Sequence, residues 1–176
     1  VIQRIGRRGL ASACVEGALS SAAPVIAVMD ADLQHDETIL PAMLRRLKEE
    51  DLDLVVATRY AEGGSTEGWN KHRLMISRFS GWLTRALFKV GVSDPMSGFF
   101  MLRREAFDRV VRELSQQGFK ILFDLLASAD PPLRFAEVPY RFATRQHGDS
   151  KLDSMAAWQF GVMMLINCAL GLNTPP

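Results

Sequence analysis

An α/β fold is what this sequence predicts, and three observations predict it. The first is a continuous apolar run, Val25-Ile26-Ala27-Val28-Met29, that ends abruptly in Asp30-Ala31-Asp32. Following Pro24 and rich in Val and Ile, it reads as a strand buried on both faces of a sheet. The second is another apolar run, Leu52–Thr58, that reads the same way. The third is the helical stripe between them, Leu40, Met43, Leu44 and Leu47. Strand, helix and strand at that spacing make a βαβ unit, so a parallel pair with a right-handed crossover is expected.

Composition fits one domain. The chain has 176 residues, 48% hydrophobic and 23% charged, with a formal net charge of +1. That length supports a full core. The charge balance argues against disorder and against a nucleic-acid-binding surface. Cys14 and Cys168 are too few and too far apart for a disulfide framework and have no metal-ligand spacing, so buried, reduced thiols are expected, which fits a cytosolic face. The first eight residues carry three arginines with no apolar core behind them, which is not the pattern of a signal peptide.

Along the chain, Gly6–Gly9 reads as a loop and Leu10–Ala23 as a helix of many small residues that packs closely on a sheet. Asp36 and Glu37 suit the start of a helix dipole, with Pro41 in the first turn. After Thr58, Arg59-Tyr60 leaves the second strand at the same edge as the two acids. A loop beginning at Gly63-Gly64-Ser65 runs to Arg73, long enough for a lid. Leu74–Val90 is an amphipathic helix with Phe79, Trp82 and Leu83 toward the core. Val92–Pro95 is a turn, and Ser97–Leu102 a strand whose Gly98 signals a bulge or the close approach of a ligand. Helices follow at Glu105–Leu114 and Ile121–Ala129, then a short strand at Phe135–Tyr140 and a basic loop over Arg141–Lys151.

The last 23 residues, from Ser154, carry no charge. Met155–Leu172 is long enough to cross a membrane at the lower limit, and suited equally to lie in its interface or to end the core. The division expected is a domain over residues 1–152 and a membrane segment over 153–176.

Asp30 and Asp32 stand at the carboxyl end of a strand, where open α/β sheets bind ligands. Two acids there need a cation or a hydrogen-bond network. Hard oxygens at that spacing suit Mg²⁺ or Mn²⁺, which would hold a diphosphate. The alternative is that they only cap the next helix.

Seven blocks then occur in a recognisable order. They are Met29–His35; Asp53–Tyr60; Gly63-Gly64 with Trp69 and Arg73; Ser97–Phe100; Gly118–Leu122; Glu137–Tyr140; and Gly148–Leu152. Together they resemble the polyprenyl-phosphate (dolichol-phosphate) mannosyltransferase family of inverting, nucleotide-sugar glycosyltransferases. The resemblance implies a GT-A fold, a Rossmann-like mixed and mainly parallel sheet with flanking helices. It further implies that the chain lacks about two upstream strands and stops inside a membrane helix.

By the same resemblance Asp30 and Asp32 are the catalytic acids and, with Gln34, the metal ligands. Donor contacts fall on Arg8, Gly9, Asp30, Ala31 and Asp32, and Ser97 and Gly98 line the substrate pocket. The acceptor phosphate falls to Arg59, Arg73 and Ser77, with Arg145 and Lys151 as further cations. The implied partners are GDP-mannose, a polyprenyl or dolichyl phosphate and a membrane, with the site facing the cytoplasm. A lipid phosphate is already anionic at neutral pH, so it needs cationic clamping more than a general base. His35 and His147 are given no catalytic role.

The main rival is a phosphatase of the haloacid-dehalogenase type. It too would use Asp30-Ala31-Asp32, then Thr58, Lys120, and Gly148-Asp149 with Asp153. Against it, Arg145-Gln146-His147 stands where an apolar strand should precede the last motif. A membrane-bound fragment with no activity is a third reading.

Overall fold

The structure, a computed structural model, describes residues 3, 9–60, 91–115 and 120–141. Outside them lie the expected lid and helix over 61–90, the basic loop from 142, and the apolar end of the chain. Arg8, Arg73, Ser77, Arg145 and Lys151 lie there too. Among the described residues no helix is long and apolar enough to cross a membrane.

The described elements run α1 (Leu10–Leu19), β1 (Val25–Val28), a single 3₁₀ turn (Glu37–Ile39), α2 (Leu40–Glu49), β2 (Leu54–Thr58), β3 (Phe100–Arg103), α3 (Arg104–Val110), α4 (Ile121–Ser128) and β4 (Phe135–Pro139). The expected acids fall on the 3₁₀ turn and not on α2 itself: Asp36 accepts the amide of Thr38 at the start of that turn and Glu37 lies within it. Pro41 sits in the first turn of α2, where a missing N–H costs nothing.

The sheet corrects one expectation. Its order is β1-β3-β2-β4, so β1 and β2 point the same way but are not neighbours. β3 lies between them, antiparallel to both, while β4 is parallel to β2. The sheet is mixed, with three strands in one direction and β3 opposed. The cause is where the chain re-enters. β2 ends at the carboxyl edge and β3 begins at that edge, tied there by Ala57 N–H to the Phe99 carbonyl at 3.0 Å. A strand entering from that side can only run backwards. β1, paired only with β3 in the described sheet, is half-buried where burial on both faces was expected.

Successive residues of β2 and β3 serve opposite faces, as the strand period of two requires. Leu54, Val56, Phe100 and Leu102 pack with Ala11, Val15, Phe107 and Leu125 under α1, α3 and α4. Val55, Ala57, Phe99 and Met101 pack with Met43 and Leu47 of α2 and with Tyr140. The result is helices on both sides of one sheet. Each fully buried Leu or Met in it contributes enough that truncation to Ala costs about 2–5 kcal/mol.

Two adjacent arginines at the end of β3 close the helices on either side. Arg103 donates to the carbonyls of Leu52 at 2.7 Å and Leu47 at 3.0 Å, beyond α2 and in its last turn. Arg104 donates to those of Ala18 at 2.8 Å and Ser21 at 2.7 Å, at the end of α1. Cations suit these carbonyl-rich termini.

Candidate active site

The carboxyl edge of the sheet gathers the acids after β1, Arg59 after β2, and the turn that leads into β3. The acid turn is built from its own side chains. Asp32 accepts the amide of Gln34 at 3.2 Å, a local turn that Asp favours. Leu33 takes a left-handed φ of 61°, which costs a branched residue energy and recurs at functional loops. The amide of Asp30 donates to Nδ1 of His35 at 3.2 Å. Gln34 and His35 are buried, whereas Ala31 is exposed.

Gly98 explains the glycine in the third strand's lead-in. A Cβ placed there would lie 2.8 Å from Oδ2 of Asp30 and 3.3 Å from its Cγ. What approaches the backbone is therefore the Asp30 carboxylate, and any side chain at position 98 would push it away. Ser97 is buried and donates to the carbonyl of Ala57 at 2.8 Å, so it secures the turn to β2. Gly9, the other expected donor contact described here, holds a φ of 119° before α1, a conformation that favours glycine.

Arg59 is found in a buried bidentate pair. Its Nε donates to Asp94 at 2.8 Å and its Nη2 at 2.9 Å, with the two side chains 10% and 1% exposed. Burial alone would lower the Arg59 pKa, but the hydrogen bonds and charge of Asp94 outweigh it and hold the pKa above the usual arginine range. The Nε–Nη2 edge is committed to Asp94, and that pairing sets the orientation of the whole guanidinium. Thr58 and Ser93 share a hydrogen bond at 2.7 Å, and Ser93 donates through N and Oγ to Glu137 at 2.8 and 2.7 Å. This chain fixes the Asp94 turn against β2 and β4.

Lys120, just before α4, donates to the carbonyl of Met96 at 3.3 Å. Burial and the nearby charge of Arg59 pull its pKa down to about 8, against the opposing effect of Asp94 and Asp30. His35 is also lowered, mainly by burial, although Asp30 and Asp32 oppose the shift. Burial raises Tyr140, and the acids Asp94, Asp30 and Asp32 add to this against Arg59. Each of these three groups therefore feels both the acid turn and the Arg59–Asp94 pair.

Reading the sequence alone left Asp94, Lys120 and His35 without a place in the site. Asp94 was a turn residue, and Lys120 entered only inside a motif block and in the phosphatase alternative. The signal that could have found Asp94 was the Ser97-Gly98 lead-in, since a strand entering backwards puts its preceding turn at the ligand edge.

The donor set fits a hard divalent cation. Asp30, Asp32 and the buried Gln34 lie on one short turn and offer only oxygen ligands. Among the described residues the Asp30 carboxylate accepts no hydrogen bond and forms no ion pair, which is costly for a half-buried anion.

Residues 1–111 match the model of glycosyl transferase family 2. The chain belongs to that family. Three curated relatives, each a dolichol-phosphate mannosyltransferase, match 91% of the chain. The one from Pyrococcus furiosus is 37% identical and 45% covered, that from Mycosarcoma maydis 39% and 54%, and that from Saccharomyces cerevisiae 36% and 61%. The chain thus spans about half the length of these relatives. Among solved structures, glucosyl-3-phosphoglycerate synthase from Mycobacterium tuberculosis in complex with Mn²⁺, UDP-glucose and phosphoglyceric acid superposes with a TM-score of 0.68 at 19% identity. That match covers 93% of this chain and 56% of the other. It shows a shared GT-A fold. Family membership removes the phosphatase reading, and Thr58, the strand-end residue of that reading, shares a hydrogen bond with Ser93.

Proposed function

We propose that this chain carries the catalytic centre of a metal-dependent inverting transferase. It moves a hexose, with mannose from GDP-mannose favoured, onto a polyprenyl or dolichyl phosphate at the cytoplasmic face of a membrane. One observation carries the reading: an oxygen-rich acid turn shares the carboxyl edge of the sheet with the buried Arg59–Asp94 pair and Lys120. Anion-holding and cation-holding groups are thus side by side, as transfer between two phosphates requires. The names of the relatives support the sugar and the acceptor, and the bound Mn²⁺ of the structural neighbours supports the cofactor.

Asp30, Asp32 and Gln34 would hold Mg²⁺ or Mn²⁺, which supplies charge neutralisation to the leaving diphosphate. Gly98 leaves room for the Asp30 carboxylate, and the Asp32 turn holds the second acid. The acceptor's phosphate oxygen attacks the anomeric carbon from the opposite face as the bond to the diphosphate breaks. That oxygen is already anionic, so no side chain need remove a proton. Arg59, held by Asp94, offers a fixed positive charge to the acceptor. Arg73, Ser77, Arg145 and Lys151 complete the acceptor set by resemblance, with Arg8 and Gly9 on the donor side. The segment 153–176 anchors the chain at the membrane.

The test is transfer of radiolabelled mannose from GDP-mannose to a polyprenyl phosphate in detergent micelles. Label should enter the lipid phase with Mn²⁺ present and stop when EDTA is added. Release of phosphate from simple phosphoesters without lipid product would overturn the reading. Arg59→Ala should raise the acceptor KM about ten- to hundred-fold while leaving the donor KM near its starting value.

A further inference from the structure

His35 lies outside the set that chemistry at the sugar requires, yet its ring is held on two sides. It is buried, stacked on Phe99 with centroids 5.1 Å apart at 15°, and met edge-on by Tyr140 at 5.6 Å. Phe99 and Tyr140 are themselves edge-to-face at 5.7 Å. Such contacts fix the plane of the imidazole. Within that plane, Nδ1 accepts the amide of Asp30. An amide can only donate, so Nδ1 carries no proton and the ring's hydrogen is on Nε2.

Asp30 is thereby located from two sides by one segment of chain. Its carboxylate lies over Gly98. Its amide is tied to a ring that rests on Phe99, the next residue. The acid turn and the entry to β3 are thus keyed together through His35, and the turn includes a left-handed Leu33 that would relax if released.

We propose that His35 is a positioning residue that sets the acid turn for metal binding by accepting the Asp30 amide at Nδ1. This rests on the reading of Asp30 and Asp32 as the metal-holding acids. It makes a chemical demand that packing alone does not: an acceptor atom is needed at the Nδ1 position. Asn can place its amide oxygen there, whereas Gln reaches the Nε2 position and leaves the Asp30 N–H unbonded. A ring that only filled space would be replaced better by Gln or Leu than by the smaller Asn.

The experiment is Mn²⁺ affinity of the purified protein, read from the electron-paramagnetic-resonance signal of unbound Mn²⁺, with thermal unfolding in parallel. His35→Asn should bind Mn²⁺ within about two-fold of the unsubstituted protein. His35→Gln and His35→Leu should bind about ten-fold more weakly. Asp32→Asn is the reference variant for loss of the site. If His35→Gln binds as tightly as His35→Asn while Asp32→Asn has lost binding, the role of His35 is refuted and the metal site stands. If Asp32→Asn binds Mn²⁺ as before, the metal reading itself fails.

Discussion

The two ends of β2 carry similar charges in different circumstances. At its amino end, buried Asp53 accepts from the amide of Arg134 at 2.9 Å, from its Nε at 3.2 Å and from Nη2 of Arg109 at 3.2 Å. Those hydrogen bonds outweigh the desolvation that would raise it and keep the Asp53 pKa below the usual range. Asp51 joins through Arg134 at 2.8 Å and Arg103 at 3.3 Å, both exposed contacts worth little. At its carboxyl end stand the Arg59–Asp94 pair, Lys120 held by a backbone carbonyl, and an Asp30 carboxylate that among the described residues has no hydrogen bond or ion pair. One end has its charges balanced within the fold. The other keeps charge in reserve, as sites that bind ionic ligands do.

The sharpest break of this contrast is at the acids. Asp32→Asn removes a metal-holding charge, and activity should fall by about a thousand-fold or more if several kcal/mol of leaving-group stabilisation is lost. Circular dichroism and the unfolding midpoint should be nearly unchanged. Activity within ten-fold of the unsubstituted enzyme would refute the assignment.

Next come two buried carboxylates that pair with arginine. Asp94→Ala takes a bidentate carboxylate away from the buried Arg59 charge, so urea unfolding should show a loss of about 3–5 kcal/mol. Turnover per folded molecule should fall too, because Arg59 loses its orientation. Asp53→Asn should cost about 1–3 kcal/mol, since its donors lose a charged acceptor. Its activity per folded molecule should stay the same. Equal effects of the two substitutions on turnover would erase the distinction between the ends. Acid should weaken the amino end specifically: with its pKa depressed in the folded state, Asp53 stabilises above the unfolded value and loses that contribution as pH falls through the folded one.

Gly98→Ala sharpens the picture at smaller scale. The added methyl meets Asp30 Oδ2, and the carboxylate must shift to accommodate it. Mn²⁺ affinity should weaken about ten-fold with little change in stability. Retention of full affinity would show that Asp30 has slack.

The smallest effect expected is at Lys120. Its pKa, lowered from 10.5 to about 8, means the ammonium costs folding energy when charged. As pH rises above about 8 the folded state releases this proton before the unfolded state does, so this group's contribution to stability rises up to about 10.5. Binding of an anionic donor should move the other way, weakening over the same range as the charge is lost. Lys120→Met should abolish both trends and lower activity about ten-fold. A flat stability difference between the two proteins from pH 7 to 10 would refute the shifted lysine.

The sequence by itself determined the local elements and the chemistry of the acid turn. The apolar runs Val25–Met29 and Leu52–Thr58 and the α2 stripe are short-range patterns, and they reappear in the fold as β1, β2 and the buried Met43 and Leu47 of α2. Asp30, Ala31 and Asp32 at a strand end could be read because burial of the strand forces the acids to the edge. Helix ends were less legible: α1 stops at Leu19 rather than Ala23, with Ser20 capping it by its own backbone. Only the tertiary structure decided that β3 separates β1 from β2, since hydrophobic alternation encodes which face a residue takes but not which strand lies beside it. It alone paired Arg59 with Asp94, 35 residues on, and set His35 beneath the amide of Asp30. Those contacts depend on which turns meet at one edge of the sheet. That is a consequence of strand order, which no local stretch of sequence carries.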